Sequence, residues 1–206
     1  MASPIRSERA GPTRLPAPRR RRQLLDVATN VFAAHGFHGT SMEEVAEAAG
    51  VTKPVLYQHF SSKRDLYREL LDQVGNQLVD AVTTAVSAET GPRAQVEAGF
   101  AAYFRFVARH ADAFGLLFGS GARRDEEFAD AIRRVEDTMA DAIAALIEAD
   151  IAADHRELLG YGIVGLAEVT SRHWVATGEP SVRAADQLAR RVSELAWAGL
   201  RGIHRD

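Results

Sequence analysis

The chain of 206 residues contains no cysteine. That absence removes disulfides, thiolate zinc sites and thiol nucleophiles together. No apolar run approaches the roughly 18 residues that suggest a membrane span. The segment after the Arg-rich N-terminus, QLLDVATNVFAAHG, carries Asp26 and Asn30 and reads poorly as a secretory leader. A soluble, cytoplasmic protein with no membrane partner is expected. Enzyme signatures are missing too: there is no HExxH, no GxSxG and no glycine-rich phosphate loop. The seven histidines have no paired or carboxylate-linked spacing suited to a metal. No catalytic residue, metal or cofactor is therefore expected. Convincing strand alternation is absent, and so is any internal repeat. The fold class is all-α.

Hydrophobic residues make up 46% of the chain, enough for a substantial core without staples. The net charge of −3 conceals an asymmetry. Through Leu70 there are eleven Lys/Arg against seven Asp/Glu, and from Leu71 onward fourteen against twenty-one. A basic head on an acidic body suits polyanion binding at one end and another task at the other. Residues 1–18 hold four of the seven prolines and several arginines, which reads as a disordered arm. Either the arm is dispensable, or Arg14 and Arg19 to Arg22 add phosphate contacts.

After the arm the pattern is helical. Leu24, Ala28, Val31 and Phe32 recur at helical spacing, and the run stops at Gly36. Thr40 or Ser41 followed by Glu43 and Glu44 forms a capping-box signal for a short second helix that halts at Gly50. Ser62 with Asp65 opens a longer helix through about Val86. Beyond Gly91 four or five helical stretches follow. They begin with Pro92 in a first turn and with the acidic Asp125-Glu126-Glu127, both favourable at helix starts. The third of them, DEEFADAIRRVEDTMADAIAALIEA, is expected to stay helical to Ala149.

Between the second helix and the long one lies TKPVLYQHF. Ala46, Gly50, Val51 and Leu56 have the spacing of a helix-turn-helix at about 41–60. Small Ala46 lets the helices approach, and Gly50 takes a turn conformation that other residues resist. Thr52 serves as N-cap, and Pro54 sits in the first turn where a missing N–H costs nothing. At about 100° per residue, Leu56 and Phe60 fall within roughly 40° of each other and face inward. Pro54, Val55 and Gln58 point away, with Tyr57 and His59 at the edges. Lys53 lies at the N-terminal end and Lys63 opens the next helix. Such a face fits a major groove, its centre toward base edges and its rim toward phosphates. The spacing alone also occurs in all-α proteins that bind no DNA, so a helical ligand carrier with a protein-binding bundle stays open on these residues.

The run from Arg21 to about Val74 resembles the DNA-binding region of the TetR family of bacterial transcriptional regulators. Phe32 and Gly36, Thr40-Ser41, Ala46, Ala49-Gly50-Val51, Leu56-Tyr57, His59-Phe60 and Lys63 carry the likeness, in register and without a gap. The resemblance implies base contacts from Thr52, Lys53 and Pro54, and phosphate contacts from Ser41 or Thr40, Tyr57, His59 and Lys63. Gln58 stands at a position that varies within the family. It further implies a head at 19–79 and a body at 80–206 that binds a ligand and dimerises through its last two helices. A two-fold dimer would set two recognition helices about 34–36 Å apart on a pseudo-palindromic double-stranded operator. A repressor released by a small hydrophobic effector is the expectation.

For the dimer, Gly162 and Gly165 one turn apart and Trp197 in the final helix are the candidates, with ordinary intrachain packing as the alternative. For the effector, Phe100, Tyr103, Phe104, Phe118, Met139 and Trp174 are candidates to line an elongated apolar pocket, though each suits a core equally well. The stretch GIVGLAEVTSRHWVATGEPSVRAADQLARRVSELAWAGL is similar to the C-terminal end of actinobacterial regulators of fatty-acid synthesis that sense long-chain acyl-CoA. That similarity implies an acyl chain as the effector.

Overall fold

A computed structural model of the chain describes residues 16–118 and 125–203. The arm expected at 1–18 thus lies mostly outside the described residues, Arg14 included, and its last two residues already belong to a helix. Nine helices are present among the described residues: α1 (Ala17–Gly39), α2 (Met42–Ala48), α3 (Lys53–Tyr57), α4 (Lys63–Ser87), α5 (Pro92–Arg109), α6 (Ala111–Phe118), α7 (Glu126–Ala144), α8 (Ala153–Thr177) and α9 (Val182–Leu200). The all-α expectation holds, as a helix-turn-helix head joined to a larger helical body. No helix among the described residues is long and apolar enough to cross a membrane.

Local signals set the head. Gly36 takes φ 71°, breaking α1 three residues before its end, and Gly50 takes φ 64° between α2 and α3. Both positions disfavour a Cβ. The capping box at α2 is complete: Ser41 Oγ accepts from the Glu44 N–H, and Glu44 Oε2 accepts from the Ser41 N–H at 2.6 Å. Ser62 Oγ accepts from the Asp65 N–H at 3.0 Å to start α4. Leu24, Phe32, Val45, Leu56 and Phe60 are fully or almost fully buried and form the core of the head.

Helix α4 joins the two parts. It has 25 residues, about 37 Å of helix, and a buried stripe that runs from Leu66 to Val82. Its first turns pack in the head and its last turns in the body. At the joint, Tyr67 on α4 sits between Phe32, Phe37 and Phe128, with ring centroids 4.9, 5.1 and 4.7 Å away. Burial pushes its phenol up to about 12. Above these rings Arg64 makes a two-bond pair with Asp125 at 2.9 Å and reaches Glu127 at 3.0 Å, tying the head to the start of α7.

Helix α7 is held closely on both sides. A Cβ at Gly75 on α4 would run into Val135 Cγ2, and one at Gly160 on α8 would meet the backbone of Ala140. The sequence pattern singled out neither glycine. The expected continuation of α7 to Ala149 is not seen; the helix ends at Ala144. Arg156 on α8 donates to the carbonyls of Ile147, Ala149 and Ile151, at 3.1, 3.0 and 3.3 Å. Those carbonyls are satisfied by a distant side chain rather than by a further helical turn.

Candidate functional site: the outward face of the head and the cavity of the body

Helix α3 is held from behind. Leu56 and Phe60 are buried, the Val51 N–H donates to the Ala46 carbonyl at 2.9 Å, and Arg21 on α1 binds both the His59 carbonyl and Glu69. The Arg21 guanidinium also lies 4.3 Å from the Phe60 ring centroid. Arg21 is thus committed to the fold, a role that the basic run at 19–22 did not disclose. What remains outward is Thr52, Lys53, Pro54, Tyr57 and Gln58, all exposed, with Ser41 and His59 half-buried beside them.

Four details depart from expectation. Thr52 stands at the N-cap of α3, but its side chain makes no cap bond, which leaves its hydroxyl available. Thr40 is buried, and its hydroxyl donates to the Gly36 carbonyl at 2.8 Å, so its side chain cannot reach a phosphate. Lys63 donates to the carbonyls of Phe37 and Thr40, each at 2.8 Å, and stacks its ammonium 4.6 Å from the Phe37 ring centroid. It closes the end of α1, where orphan carbonyls attract a cation, with two of its three N–H donors engaged. Lys53 is ion-paired with Glu43 on α2. That hydrogen bond holds the lysine above its usual value and the carboxylate below its own.

The body contains a cavity of about 260 Å³ between α4, α5, α7, α8 and α9. Leu78, Phe100, Tyr103, Phe118, Val135 and Met139 form its inner end, all buried. Burial falls along the walls toward Pro92, Leu146, Glu148 and Arg201, which are exposed and form a mouth at the end farthest from the head. From Gln95 to Tyr103 on α5 is about 12 Å of wall. Apart from Gln95, Tyr103, Glu136, Glu148 and Arg201, the lining side chains are apolar. Such a space suits a long apolar molecule with a polar end at the mouth.

Comparison with known proteins bears on both sites. The profile described as "Bacterial regulatory proteins, tetR family" matches residues 24–70, and "Tetracyclin repressor-like, C-terminal domain" matches residues 92–199. The chain is 33% identical over 189 residues to the HTH-type transcriptional activator FasR of Mycolicibacterium smegmatis, covering 91% of this chain and 85% of that protein. The chain belongs to the TetR family. The crystal structure of a TetR-like regulator from Rhodococcus sp. RHA1 superposes with a TM-score of 0.72 at 31% identity, over 92% of this chain and all (100%) of that one. FadR from Bacillus subtilis, solved in complex with stearoyl-CoA, shares the fold with a TM-score of 0.74 at 18% identity, over 89% of this chain and 99% of that one. As a TetR-family member the chain is a transcriptional regulator that binds operator DNA through its helix-turn-helix, and not an enzyme.

Within this TetR-type body the sequence candidates separate. Phe100, Tyr103, Phe118 and Met139 line the cavity. Phe104 and Trp174 do not; they pack on each other, ring centroids 6.4 Å apart, with Phe104 fully buried in the core. Trp197, a candidate for the dimer, is half-buried on the cavity wall beside Leu200 and Arg201. Gly162 and Gly165 have nothing within 4 Å of where a Cβ would sit. They share the outer side of the body with exposed Leu158 and Val169 on α8 and Leu195 on α9, the first 67% and the last 64% exposed. Leu78, Val82 and the rim at Leu146–Ala149 escaped the sequence reading, because aliphatic residues carry no signal that separates a pocket wall from a core.

Proposed function

We propose that the protein is a homodimeric regulator whose operator affinity is set by an apolar effector, an acyl thioester, seated in the body cavity. The observation that carries this reading is α4. Its first turns frame the DNA-facing head, and Leu78 and Val82 in its later turns line the cavity, so one rigid element touches both sites. A molecule that fills the cavity in one body conformation better than in another shifts the spacing of the heads. The nearly all-apolar lining and the mouth at the far end suit an acyl chain entering with its headgroup outside. The shared fold with a regulator solved with stearoyl-CoA supports the same class of ligand.

In this reading the division of labour falls near residue 79 on α4. Thr52, Lys53, Pro54 and Gln58 meet base edges, and Ser41, Tyr57 and His59 meet phosphates. Dimerisation uses the outer faces of α8 and α9, where Leu158, Val169 and Leu195 are exposed beside Gly162 and Gly165. Exposed aliphatic side chains next to small residues favour two helix pairs packing across a two-fold axis. Whether operator binding represses or activates depends on where the operator lies relative to the promoter. A relative described as an activator removes repression as the default.

Selection of duplex DNA by the purified protein, with and without acyl thioesters of graded length, tests the reading. A pseudo-palindromic site retained without effector and released over a limited range of chain lengths is expected. Selection of no site, or the same retention with every thioester, would overturn it.

A further inference from the structure

The run Arg19-Arg20-Arg21-Arg22 works against the helix that carries it. Helix α1 opens at Ala17 with no side-chain cap and no acidic residue in its first turn. The positive end of a helix disfavours cations, and like charges three residues apart, as on Arg19 and Arg22, repel each other. The first buried side chain is Leu24, so the opening two turns, about 10 Å of helix, precede the core of the head. Folding accounts for Arg21, which binds the His59 carbonyl and Glu69 and lies against the Phe60 ring. It does not account for the other three. Arg19 and Arg22 are exposed and Arg20 is half-buried. Arg20 reaches Gln23 at 3.0 Å, and among the described residues no carboxylate pairs with Arg19, Arg20 or Arg22.

Arg21 also fixes where these cations stand. Its bond to the His59 carbonyl holds the start of α1 beside the end of α3, where Tyr57 and Gln58 are exposed. At about 100° per residue, Arg20 and Arg22 fall to either side of Arg21, along the edge of that contact. Arg19 lies one turn before Arg22. His59 is itself among the residues assigned to phosphates, so the patch adjoins the DNA-facing residues at their His59 end. Three unpaired cations there complement a polyanion that continues past the base-reading helix. Contacts of this kind add affinity and carry no sequence information.

We propose that Arg19, Arg20 and Arg22 form a basic shelf that grips the phosphate backbone of duplex DNA just outside each half-site, lengthening the operator contact without reading its sequence. The proposal rests on the operator-binding dimer described above and not on the effector. A dimer carries six of these arginines. At about 0.9 unit of salt slope per phosphate neutralised, full engagement adds about five units.

Two duplexes test this: the selected site cut at its ends, and the same site extended at each end by about five base pairs, half a helical turn. The parent is expected to bind the extended duplex more tightly, with a salt slope steeper by about two to five units, and equally with two unrelated flanking sequences. In the triple variant Arg19→Gln, Arg20→Gln, Arg22→Gln the cut and extended duplexes should bind alike, and the ranking of base changes within the site should stay as in the parent. Urea unfolding separates contact from folding. Removing cations from the positive end of α1 should leave the midpoint of the variant unchanged or raise it. A lowered midpoint would assign the arginines to folding and overturn the shelf. Equal slopes for the parent on the two duplexes, or a gain from the flanks that survives in the variant, would overturn it as well. A parent that selects no site would overturn the operator reading together with the shelf.

Discussion

Three glycines on α8 separate what holds the chain together from what it presents outward. At Gly160 an added Cβ would lie 3.1 Å from the Ala140 carbonyl carbon and 3.3 Å from its Cα, and closer still to the oxygen. Backbone cannot rotate away as a side chain would, so Gly160→Ala must push α7 and α8 apart. Overpacking of this kind costs about 1–3 kcal/mol, and an unyielding neighbour places it at the upper end. The gain in helix propensity returns about 1 kcal/mol, leaving a net loss of about 2 kcal/mol. Gly162→Ala and Gly165→Ala meet nothing within 4 Å, so each should stabilise the isolated chain by up to about 1 kcal/mol. If their face pairs with a second copy, the same changes weaken the dimer. Urea unfolding at several protein concentrations distinguishes the effects, since only association makes the midpoint depend on concentration. Gly160→Ala should lower the midpoint by about 1 M at every concentration, for a slope near 2 kcal/mol/M. The other two variants should lose stability only where the parent is dimeric. A Gly160→Ala protein as stable as the parent would refute the close α7–α8 approach, and a Gly162→Ala protein destabilised even at high dilution would refute the open outer face.

Two further outcomes concern the head. Glu43→Gln frees Lys53 from its ion pair and removes a negative charge beside the DNA-facing helix. Affinity for duplex should rise at every sequence and the salt slope steepen by up to about one unit; an unchanged slope across a salt series would contradict this. Lys63→Ala removes two charged hydrogen bonds that close the end of α1, so thermal or urea unfolding should show a loss of about 1–2 kcal/mol, discounted for partial exposure. Unchanged stability with weakened DNA binding would instead return Lys63 to the role of a phosphate ligand.

The sequence was most legible where a signal and its effect lie within one turn of each other. The Ser41–Glu44 box, the Ser62 cap, the breaks at Gly36 and Gly50 and the inward pair Leu56–Phe60 are all of that kind, and all appear as expected. It was least legible where a distant element decides. Lys63 looks like an exposed lysine until the carbonyls of residues 37 and 40 arrive beneath it. Thr40 competes with Ser41 for one cap, and only the path of α1 shows that Thr40 turns inward. Helical periodicity puts Trp197 on an apolar face, but which of two neighbours that face meets depends on how α9 is rotated against α5. The same ambiguity separated Phe104 and Trp174 from the cavity they were expected to line. Gly162 and Gly165 drew notice as a spaced pair, while the close contact is made by Gly160, two residues away.

The central claim is that the cavity and the DNA-facing head are two ends of one equilibrium, joined through α4. Titration of a dodecanoyl thioester into the protein, alone and saturated with its selected operator, tests it directly. A coupling of about 1–3 kcal/mol is expected, so operator should weaken thioester binding by roughly 5- to 150-fold, and the thioester should weaken operator binding by the same factor. Equal thioester affinity in the two titrations would contradict the account, however tight that affinity proved to be.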